Sequence, residues 1–233
     1  MSRDAILASI RRHLRRGPLP PDQAAMLSGR LAEHPRHIIP KRVQLSRPEL
    51  VLLFMRNLEK EFGTVVRLPE LAAVPQAVAD YLAAQNLPSE LVVAPHPDLR
   101  QIPWASHPML KLREGRAEPS DLVSLSSAFA GIAETGTLML PSAPERPTTL
   151  NLLVDAAIVL LRTSRLVGPY EDAWDLLRAE GTRYNSSGFM PRNVMLITGP
   201  SRSADIEQTL ELGAHGPRRL HVLLLEDDPA AKG

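Results

Sequence analysis

Residues 133–137 combine one carboxylate, two hydroxyls and a glycine at the entry to an apolar stretch. In this loop Glu134 could act as a general acid or base, or accept a hydrogen bond from a ligand hydroxyl. Gly136 permits close approach of the backbone, so the loop amides and the Thr135 and Thr137 hydroxyls could hold an anionic substrate. The alternative is a tight turn whose threonine hydroxyls satisfy local backbone groups, and the spacing alone favours that alternative.

A second candidate is the Gly-Pro-Ser-Arg-Ser run that begins at Gly199. It follows a predicted strand and precedes a predicted helix over residues 203–210, so free N–H groups and the helix dipole would face an anion there. Ser201 and Ser203 add hydroxyls, and Arg202 adds a planar guanidinium that suits a carboxylate or phosphate. The run matches neither a P-loop nor a dinucleotide-binding motif. An ordinary serine N-cap with a solvated Arg202 fits the pattern equally well.

His215 lies in a glycine-rich loop that follows this predicted helix. An imidazole in such a position could titrate near neutral pH and act as a catalytic acid or base. Histidines of this kind are more often surface or capping residues, and Gly213 just before it is typical of a helix C-cap. A catalytic set of Ser201, His215 and Asp205 is disfavoured, because no G-x-S-x-G nucleophile motif accompanies it.

Arg146 is a third candidate for anion binding, in a loop that also carries hydroxyls and an amide. Its guanidinium could hold the carboxylate of a substrate, and the alternative is a loop ion pair with Glu145. No group of residues has the spacing of a metal site, so we expect no metal ion on this chain. We interpret four histidines near prolines as surface residues: His34, His37, His96 and His107.

The elements that would position these residues follow an α-β-α-β order. A capping box formed by Ser46 and Glu49 and apolar residues at helical spacing predict a helix that Gly63 ends. The apolar strands predict an α/β fold with a mainly parallel sheet flanked by helices, because such strands are usually buried on both faces. The predicted strands are 64–68, 91–94, 122–125, 137–140, 156–161, 194–198 and 220–225, and the later helices are 75–85, 170–179 and 203–210.

The chain divides into three predicted segments. Residues 1–45 form an N-terminal helical extension, with helices over 1–16 and 22–33 on either side of a proline-rich break. Residues 46–226 form the α/β domain, and residues 227–233 form a C-terminal tail. The first helix is amphipathic and rich in arginine, so we expect it to pack on its own domain or on a partner.

The composition excludes several classes of function. The 233 residues contain no cysteine, so this chain offers no thiolate nucleophile, no disulfide and no thiolate-bound iron–sulfur cluster. A formal net charge of +1 gives no general field for nucleic acid. The longest uncharged apolar run, residues 122–133, is shorter than the ~18 residues of a membrane span. No secretory signal is recognisable, and cytoplasm is therefore the expected location.

Several runs together resemble the lactate-utilization (LUD) domain family, most densely over the second half of the chain. The matching runs are residues 132–137, 146–151, 170–174, 197–207, 212–217 and 220–222. The resemblance implies a fold similar to that of sugar-phosphate isomerases and CoA transferases. It also implies a subunit of an L-lactate-oxidising system that acts with two iron–sulfur partner proteins and has no cofactor of its own. It transfers no catalytic residues, so the candidates remain those chosen by residue type and spacing.

The leading hypothesis is therefore a component of a system that converts L-lactate to pyruvate. Arg146 or Arg202 would hold the carboxylate of lactate, and Glu134 or His215 would take the hydroxyl proton. Two alternatives remain open. One is a stand-alone isomerase- or transferase-like enzyme that acts on a phosphorylated or CoA-linked substrate. The other is a non-catalytic scaffold that senses a small anion.

Overall fold

A computed structural model describes residues 2–15, 17–184, 190–204 and 210–228. The chain forms two compact units, Met1–Ile38 and Ile39–Gly233. The described helices are α1 Arg3–His13, α2 Pro21–Glu33, α3 Arg47–Lys60, α4 Val74–Ala84, α5 Pro97–Arg100 and α6 Tyr170–Tyr184. The described strands are β1 Thr64–Leu68, β2 Glu90–Val93, β3 Lys111–Glu114, β4 Val123–Ser127, β5 Ala130–Ile132, β6 Thr137–Pro141, β7 Ala156–Arg162, β8 Leu166–Val167, β9 Val194–Ile197, β10 Arg202–Ala204, β11 Leu210–Leu212 and β12 Arg219–Leu225.

The N-terminal unit consists of α1 and α2, as the sequence predicts. The Ser2 side chain caps α1 by accepting a hydrogen bond from the Ala5 N–H at 3.3 Å. Neither helix contains a buried residue. The apolar side chains on α1, Ile6 and Ile10, and that of its C-cap residue Leu14 are 45–58% exposed. Within the part of the chain that the structure describes, no helix is long and apolar enough to cross a membrane.

The second unit is built on a six-stranded sheet in the order β1-β12-β7-β4-β2-β3. Every neighbouring pair in this sheet is parallel, which confirms the predicted α/β fold with a mainly parallel sheet. The central strands β4 and β7 are buried over almost their whole length, as expected for strands covered on both faces. The edge strand β3 escaped the sequence-based prediction, because its Lys-Leu-Arg-Glu sequence is mostly charged and exposed.

Helices cover both faces of the main sheet. On one face the Tyr81 ring of α4 stacks on His221 of β12, with ring centroids 4.0 Å apart. On the other face α3 packs beside β5, where a Cβ atom at Gly131 would meet Phe54 and Leu161. The helix α3 begins at the predicted capping box, in which Glu49 Oε2 accepts from the Ser46 N–H at 2.8 Å and from the Ser46 hydroxyl at 2.6 Å.

A second sheet, in the order β8-β5-β6-β9, packs with α6 around a smaller apolar cluster that includes Phe129, Met139 and Leu177. The predicted strands 137–140 and 194–198 lie in this sheet as β6 and β9, and they are antiparallel to each other. The strand β6 is also antiparallel to β5, so the expected parallel pairing is wrong for these two predicted strands. The strand β6 is nevertheless fully buried. Burial on both faces therefore explains its apolar sequence without parallel pairing.

The predicted helix over residues 203–210 is wrong where the structure describes it. Arg202–Ala204 and Leu210–Leu212 form the antiparallel hairpin strands β10 and β11, and residues 205–209 lie outside the described residues. Gly213 has a φ of +85° and follows a strand, so it is a turn residue rather than a helix C-cap. The Ser-x-Asp-x-Glu pattern that begins at Ser203 favours a helix start, but in the described residues strand pairing prevails over this local preference.

The main core extends beyond the predicted domain start at residue 46. Val43 is 5% exposed and belongs to the core cluster of the second unit, and Ile39 packs against it. At the other end Asp227 and Asp228 form hydrogen bonds with the loop after β7, and residues 229–233 lie outside the described residues.

Candidate functional site

The carboxyl ends of the six parallel strands meet at one edge of the main sheet. His96 lies just after β2, Phe129 just after β4, and Arg162 is the last residue of β7. Open α/β sheets bind their ligands outside the carboxyl ends of the strands. This edge is therefore the expected location of a ligand-binding site.

Arg146 reaches the same edge from the loop between β6 and β7. Two buried serines of β4 hold that loop in place. The Ser124 hydroxyl donates to the Leu150 carbonyl at 2.6 Å, and the Ser126 hydroxyl donates to Asn151 Oδ1 at 3.0 Å. Two polar side chains inside a fully buried strand thus position the loop that carries the Arg146 guanidinium.

The central contact of the site joins Arg146 and His96. Arg146 Nη2 lies 2.9 Å from His96 Nε2, and the backbone N–H of Asp98 donates to His96 Nδ1 at 3.2 Å. A neutral imidazole has only one nitrogen that can accept a hydrogen bond. Both ring nitrogens of His96 nevertheless face donors, so the site holds more donors than acceptors and suits an added anion.

Burial shapes the electrostatics of this pair. The Arg146 side chain is 18% exposed, and its Nε has no hydrogen-bond partner among the described residues. Burial lowers the pKa of the Arg146 guanidinium, and Glu145 at 3.1 Å from Nη1 opposes that shift. Burial also lowers the pKa of His96, and the nearby charge of Arg146 lowers it further. The imidazole is therefore neutral at neutral pH and can accept a proton.

A cavity of about 530 Å³ opens beside the pair. This volume lies within the range of about 300–1,000 Å³ that is typical of small-molecule sites. Apolar side chains line much of the wall, together with two carboxylates. The lining residues are Pro95, His96, Pro97, Phe129, Pro141, Ser142, Ala143, Pro144, Glu145, Arg146, Leu177, Glu180, Gly181 and Pro191.

Arg165 supports the wall of this cavity. Its Nε donates to the Phe129 carbonyl at 2.9 Å, and its guanidinium lies 4.4 Å from the centre of the Phe129 ring. Its Nη2 lies 2.5 Å from Glu180 Oε1, so one wall carboxylate is neutralised. The guanidinium of Arg146 lies 5.9 Å from the same ring centre. Phe129 thus fixes two cations beside the cavity.

Glu134 lies in the turn between β5 and β6, away from this cavity. Its carboxylate is 12% exposed and pairs with Arg42 at 2.7 Å. Arg146 follows the other end of β6, a strand of five residues that spans roughly 14 Å. Glu134 and Arg146 therefore cannot both contact a three-carbon acid.

The threonines of this turn bond to other hydroxyls. Thr135 Oγ1 lies 2.6 Å from Thr137 Oγ1, and both lie within 3.0 Å of the Tyr170 hydroxyl. Thr137 Oγ1 also lies 2.6 Å from Thr198 Oγ1. Gly136 packs on α3, where a Cβ atom would collide with the backbone of Asn57 and Leu58. These contacts are those of a tight structural turn with internally satisfied hydroxyls.

The second sequence candidate begins beside this turn, because Thr198, which bonds to Thr137, directly precedes Gly199. Gly199 has a φ of +83° and packs against the Glu61 carbonyl. Ser201 Oγ accepts from the N–H of the exposed residue His215 at 3.1 Å. The Arg202 guanidinium stacks on the Phe62 ring, 3.2 Å from its centre. Ser203 lies in β10.

The structure thus brings the two sequence candidates together near the end of α3, and of the predicted site residues Arg146 alone lines the cavity at the carboxyl edge. His96, interpreted from the sequence as a surface residue, is 8% exposed and contacts Arg146, so that interpretation is wrong. The sequence does contain a signal for the position of His96, which follows the apolar predicted strand 91–94 by two residues. A histidine just after an apolar parallel strand lies at the ligand-binding edge of the sheet. Within the described residues, no group of three or more His, Asp or Glu side chains could hold a metal ion.

Comparison with known proteins agrees with the fold. The chain is similar to a DUF162 family protein from Deinococcus radiodurans of known crystal structure, with a TM-score of 0.59 and 22% identity over 78% of this chain and 99% of that one. At this identity the similarity concerns the fold alone.

Curated relatives match the chain over a little less than half of its length. An uncharacterized protein of Neisseria meningitidis serogroup B is 47% identical over 103 residues, which cover 44% of this chain and 42% of that protein. Lactate utilization protein C of Bacillus subtilis is 34% identical over 108 residues, which cover 45% of this chain and 42% of that protein. The protein of the same name from Exiguobacterium sp. is 34% identical over 106 residues, covering 45% of this chain and 44% of that protein.

These matches span less than half the length of each relative. A family model described as the LUD domain covers much more of the chain and matches residues 51–225. This range contains both sheets, the carboxyl edge and the cavity beside Arg146. The chain belongs to the LUD domain family.

Proposed function

We propose that this chain is a component of an L-lactate utilization system and that its carboxyl-edge cavity binds lactate. Two findings support the proposal. Relatives in the same family carry the name lactate utilization protein C. The observation that carries the assignment of the site is the buried contact between Arg146 and the neutral imidazole of His96, which lines the cavity.

In this proposal Arg146 binds the carboxylate of lactate. A guanidinium offers two parallel N–H donors to the two oxygens of a carboxylate, and the bond is strongest where water is excluded. The Nε of Arg146 is buried from solvent, so a carboxylate in the cavity would bind the Nη1 and Nη2 groups of the guanidinium. When the carboxylate takes the Nη2 donor, the lone pair of His96 Nε2 is freed, provided that the neutral ring carries its proton on Nδ1. In that tautomer the Asp98 N–H no longer donates to the ring.

His96 then accepts the hydroxyl proton of lactate. Oxidation of lactate to pyruvate removes the hydroxyl proton, which His96 takes, and breaks the C2–H bond. The C2 hydrogen leaves with the two electrons of that bond, as a hydride equivalent, to the acceptor on the partner. Because burial keeps His96 neutral, its freed nitrogen can take the hydroxyl proton as the C2–H bond breaks. Glu134 and His215, the candidates chosen from the sequence, lie away from Arg146, and we assign the proton to His96 instead.

The two electrons pass to an acceptor on a partner in this proposal. The chain has no cysteine and so offers no thiolate ligands for an iron–sulfur cluster. We propose two iron–sulfur proteins as the partners, in line with the expectation that the family resemblance raises. The lactate site would then lie on this chain and the redox centre on another.

Calorimetric titration with L-lactate tests the site. We expect Arg146→Lys to weaken binding roughly tenfold or more, because lysine cannot form the paired contact. His96→Gln should weaken binding less. In the complete system it should abolish oxidation, because glutamine cannot take the proton.

Two variants serve as controls for this titration. Arg56→Ala removes an exposed arginine of α3, and Glu134→Gln tests the carboxylate chosen from the sequence. Neither should change lactate affinity. Equal affinity in the wild type and in Arg146→Lys, or a loss in Glu134→Gln alone, would show that lactate does not bind at Arg146.

A further inference from the structure

A second cavity of about 590 Å³ adjoins the first at the loop that carries Arg146, and residues 142–144 and Arg146 line both cavities. Three arginines converge on it: Arg146 from the loop itself, Arg116 from beyond β3, and Arg192 from just before β9. No described residue that lines it carries a carboxylate. The cavity is thus strongly cationic on a chain whose formal net charge is only +1.

Two of the three arginines at this second cavity differ from those around it. At the same edge of the sheet Arg47, Arg67 and Arg162 each pair with an aspartate or glutamate at 2.6–2.8 Å, and Arg146 pairs with Glu145 at 3.1 Å. Arg116 and Arg192 are exposed, and neither side chain forms an ion pair or hydrogen bond with the residues that the structure describes. Two unpaired positive charges beside a third repel one another, and a bound anion would remove that cost.

The hydroxyls in the wall are also available as donors. Ser142 Oγ accepts a hydrogen bond from the Asn193 N–H at 3.1 Å, and Thr149 Oγ1 accepts one from the Ala117 N–H at 3.1 Å. Each hydroxyl therefore keeps its own proton to donate. The side chains of this wall offer guanidinium N–H groups and hydroxyl protons, which suits a ligand group that carries only acceptor oxygens.

We propose that this second cavity binds the phosphoryl group of a small phosphorylated ligand. A phosphate monoester carries close to two negative charges at neutral pH and three terminal oxygens, whereas a carboxylate carries one charge and two oxygens. Three guanidinium groups and the neighbouring hydroxyls match the larger charge and the larger number of oxygens. The site is distinct from the lactate site, since neither Arg116 nor Arg192 lines the cavity beside His96.

Calorimetric titrations with inorganic phosphate and with glycerol 3-phosphate, at ionic strength fixed with chloride, test the proposal. The wild type should bind at least one of them. The Arg116→Ala/Arg192→Ala double variant should bind it at least roughly hundredfold more weakly, because two charged hydrogen-bond donors are lost. Both residues are exposed, so the fold should survive.

The control is Arg56→Ala, which removes one positive charge from an exposed position on α3. It should keep the wild-type phosphate affinity, and the double variant should keep the wild-type lactate affinity. Tighter binding of glycerol 3-phosphate would identify an organic phosphate as the ligand, and tighter binding of inorganic phosphate would identify the free ion. Either order supports the site. Failure of both to bind at millimolar concentration, or equal losses in the double variant and the control, would overturn it.

Discussion

At the scale of single residues, the site depends on a guanidinium and an imidazole that are both buried and both short of suitable partners. Arg146 Nε has no acceptor in the part of the chain that the structure describes, and His96 faces two donors. Buried polar groups without partners are rare in folded proteins and call for an explanation. A bound carboxylate would satisfy Arg146 and release His96, so the imbalance of donors is itself an argument for an anionic ligand.

A second buried histidine, His221, controls stability in acid. It is 7% exposed, stacks on Tyr81, and lies with Nδ1 2.8 Å from Thr64 Oγ1. Burial lowers the pKa of His221 from 6.5 to about 4. The unfolded chain therefore binds a proton more readily than the folded chain, and stability is lost as pH falls from about 6.5 to about 4. The loss should reach roughly 3 kcal/mol in the free energy of unfolding.

Urea denaturation at several pH values between 7.5 and 4.5 measures this effect. His221→Phe keeps a ring against Tyr81 but cannot be protonated, so its stability should fall less steeply in acid. His96 titrates in the same direction and should leave a residual slope in this variant. His215→Asn, at an exposed position, should follow the wild type. Parallel pH profiles for the wild type and His221→Phe would show that His221 has no such role.

The residue types alone could identify Arg146 as an anion-binding candidate, but they could not separate it from Arg202. Only the fold shows that the Arg202 guanidinium stacks on Phe62 while Arg146 is buried beside a histidine. The partner His96 lies 50 positions away along the chain. Its role depends on which strand ends lie together, and local spacing does not contain that information.

At the scale of elements, the turn between β5 and β6 is a docking point for α3 rather than an open loop. Asn57 Nδ2 donates to the Ala133 and Glu134 carbonyls at 2.9 and 3.1 Å. Gly136 has a φ of +69° and lies directly against the backbone of α3. The glycine that suggests an anion-binding loop in the sequence is required instead for close packing of a turn on a helix.

Gly136→Ala should therefore destabilise the protein by about 3 kcal/mol. An alanine at this position would have to keep the positive φ, which is unfavourable for a residue with a Cβ. Its Cβ would also collide with the α3 backbone, which cannot move aside as a flexible side chain could. Thermal or urea unfolding measures the loss. Gly29→Ala in α2 is the control, because an added Cβ there meets nothing closer than 4.0 Å. Similar stability of Gly136→Ala and the wild type would mean that the turn does not pack on α3 as described.

The elements of the main sheet could be predicted well from the sequence, since long apolar strands and a capped helix are strong local signals. The hairpin of β10 and β11 could not, because the serine and acidic residues near Ser203 are typical of a helix start. The antiparallel pairing of β6 was also missed. Apolar composition reports burial of a strand, and it does not report the direction of the neighbouring strand.

At the scale of the whole molecule, the main sheet places two adjoining cavities at one loop. One is lined largely by apolar side chains beside the neutral His96, and the other by three arginines. The sequence contains no cysteine, so a thiolate-bound redox centre of the proposed system would lie on another chain. In the proposed function this chain binds the anions and takes the proton, and its partners carry the electrons.

Growth of the natural host on L-lactate as sole carbon source tests the central proposal most directly. A strain that lacks this chain should fail to grow on L-lactate and should grow normally on glucose. Wild-type protein and Arg56→Ala should restore growth on lactate, whereas Arg146→Lys and His96→Gln, expressed to the same level, should not. Normal growth of the deletion strain on L-lactate, or full rescue by His96→Gln, would contradict the proposed role of this chain in lactate utilization.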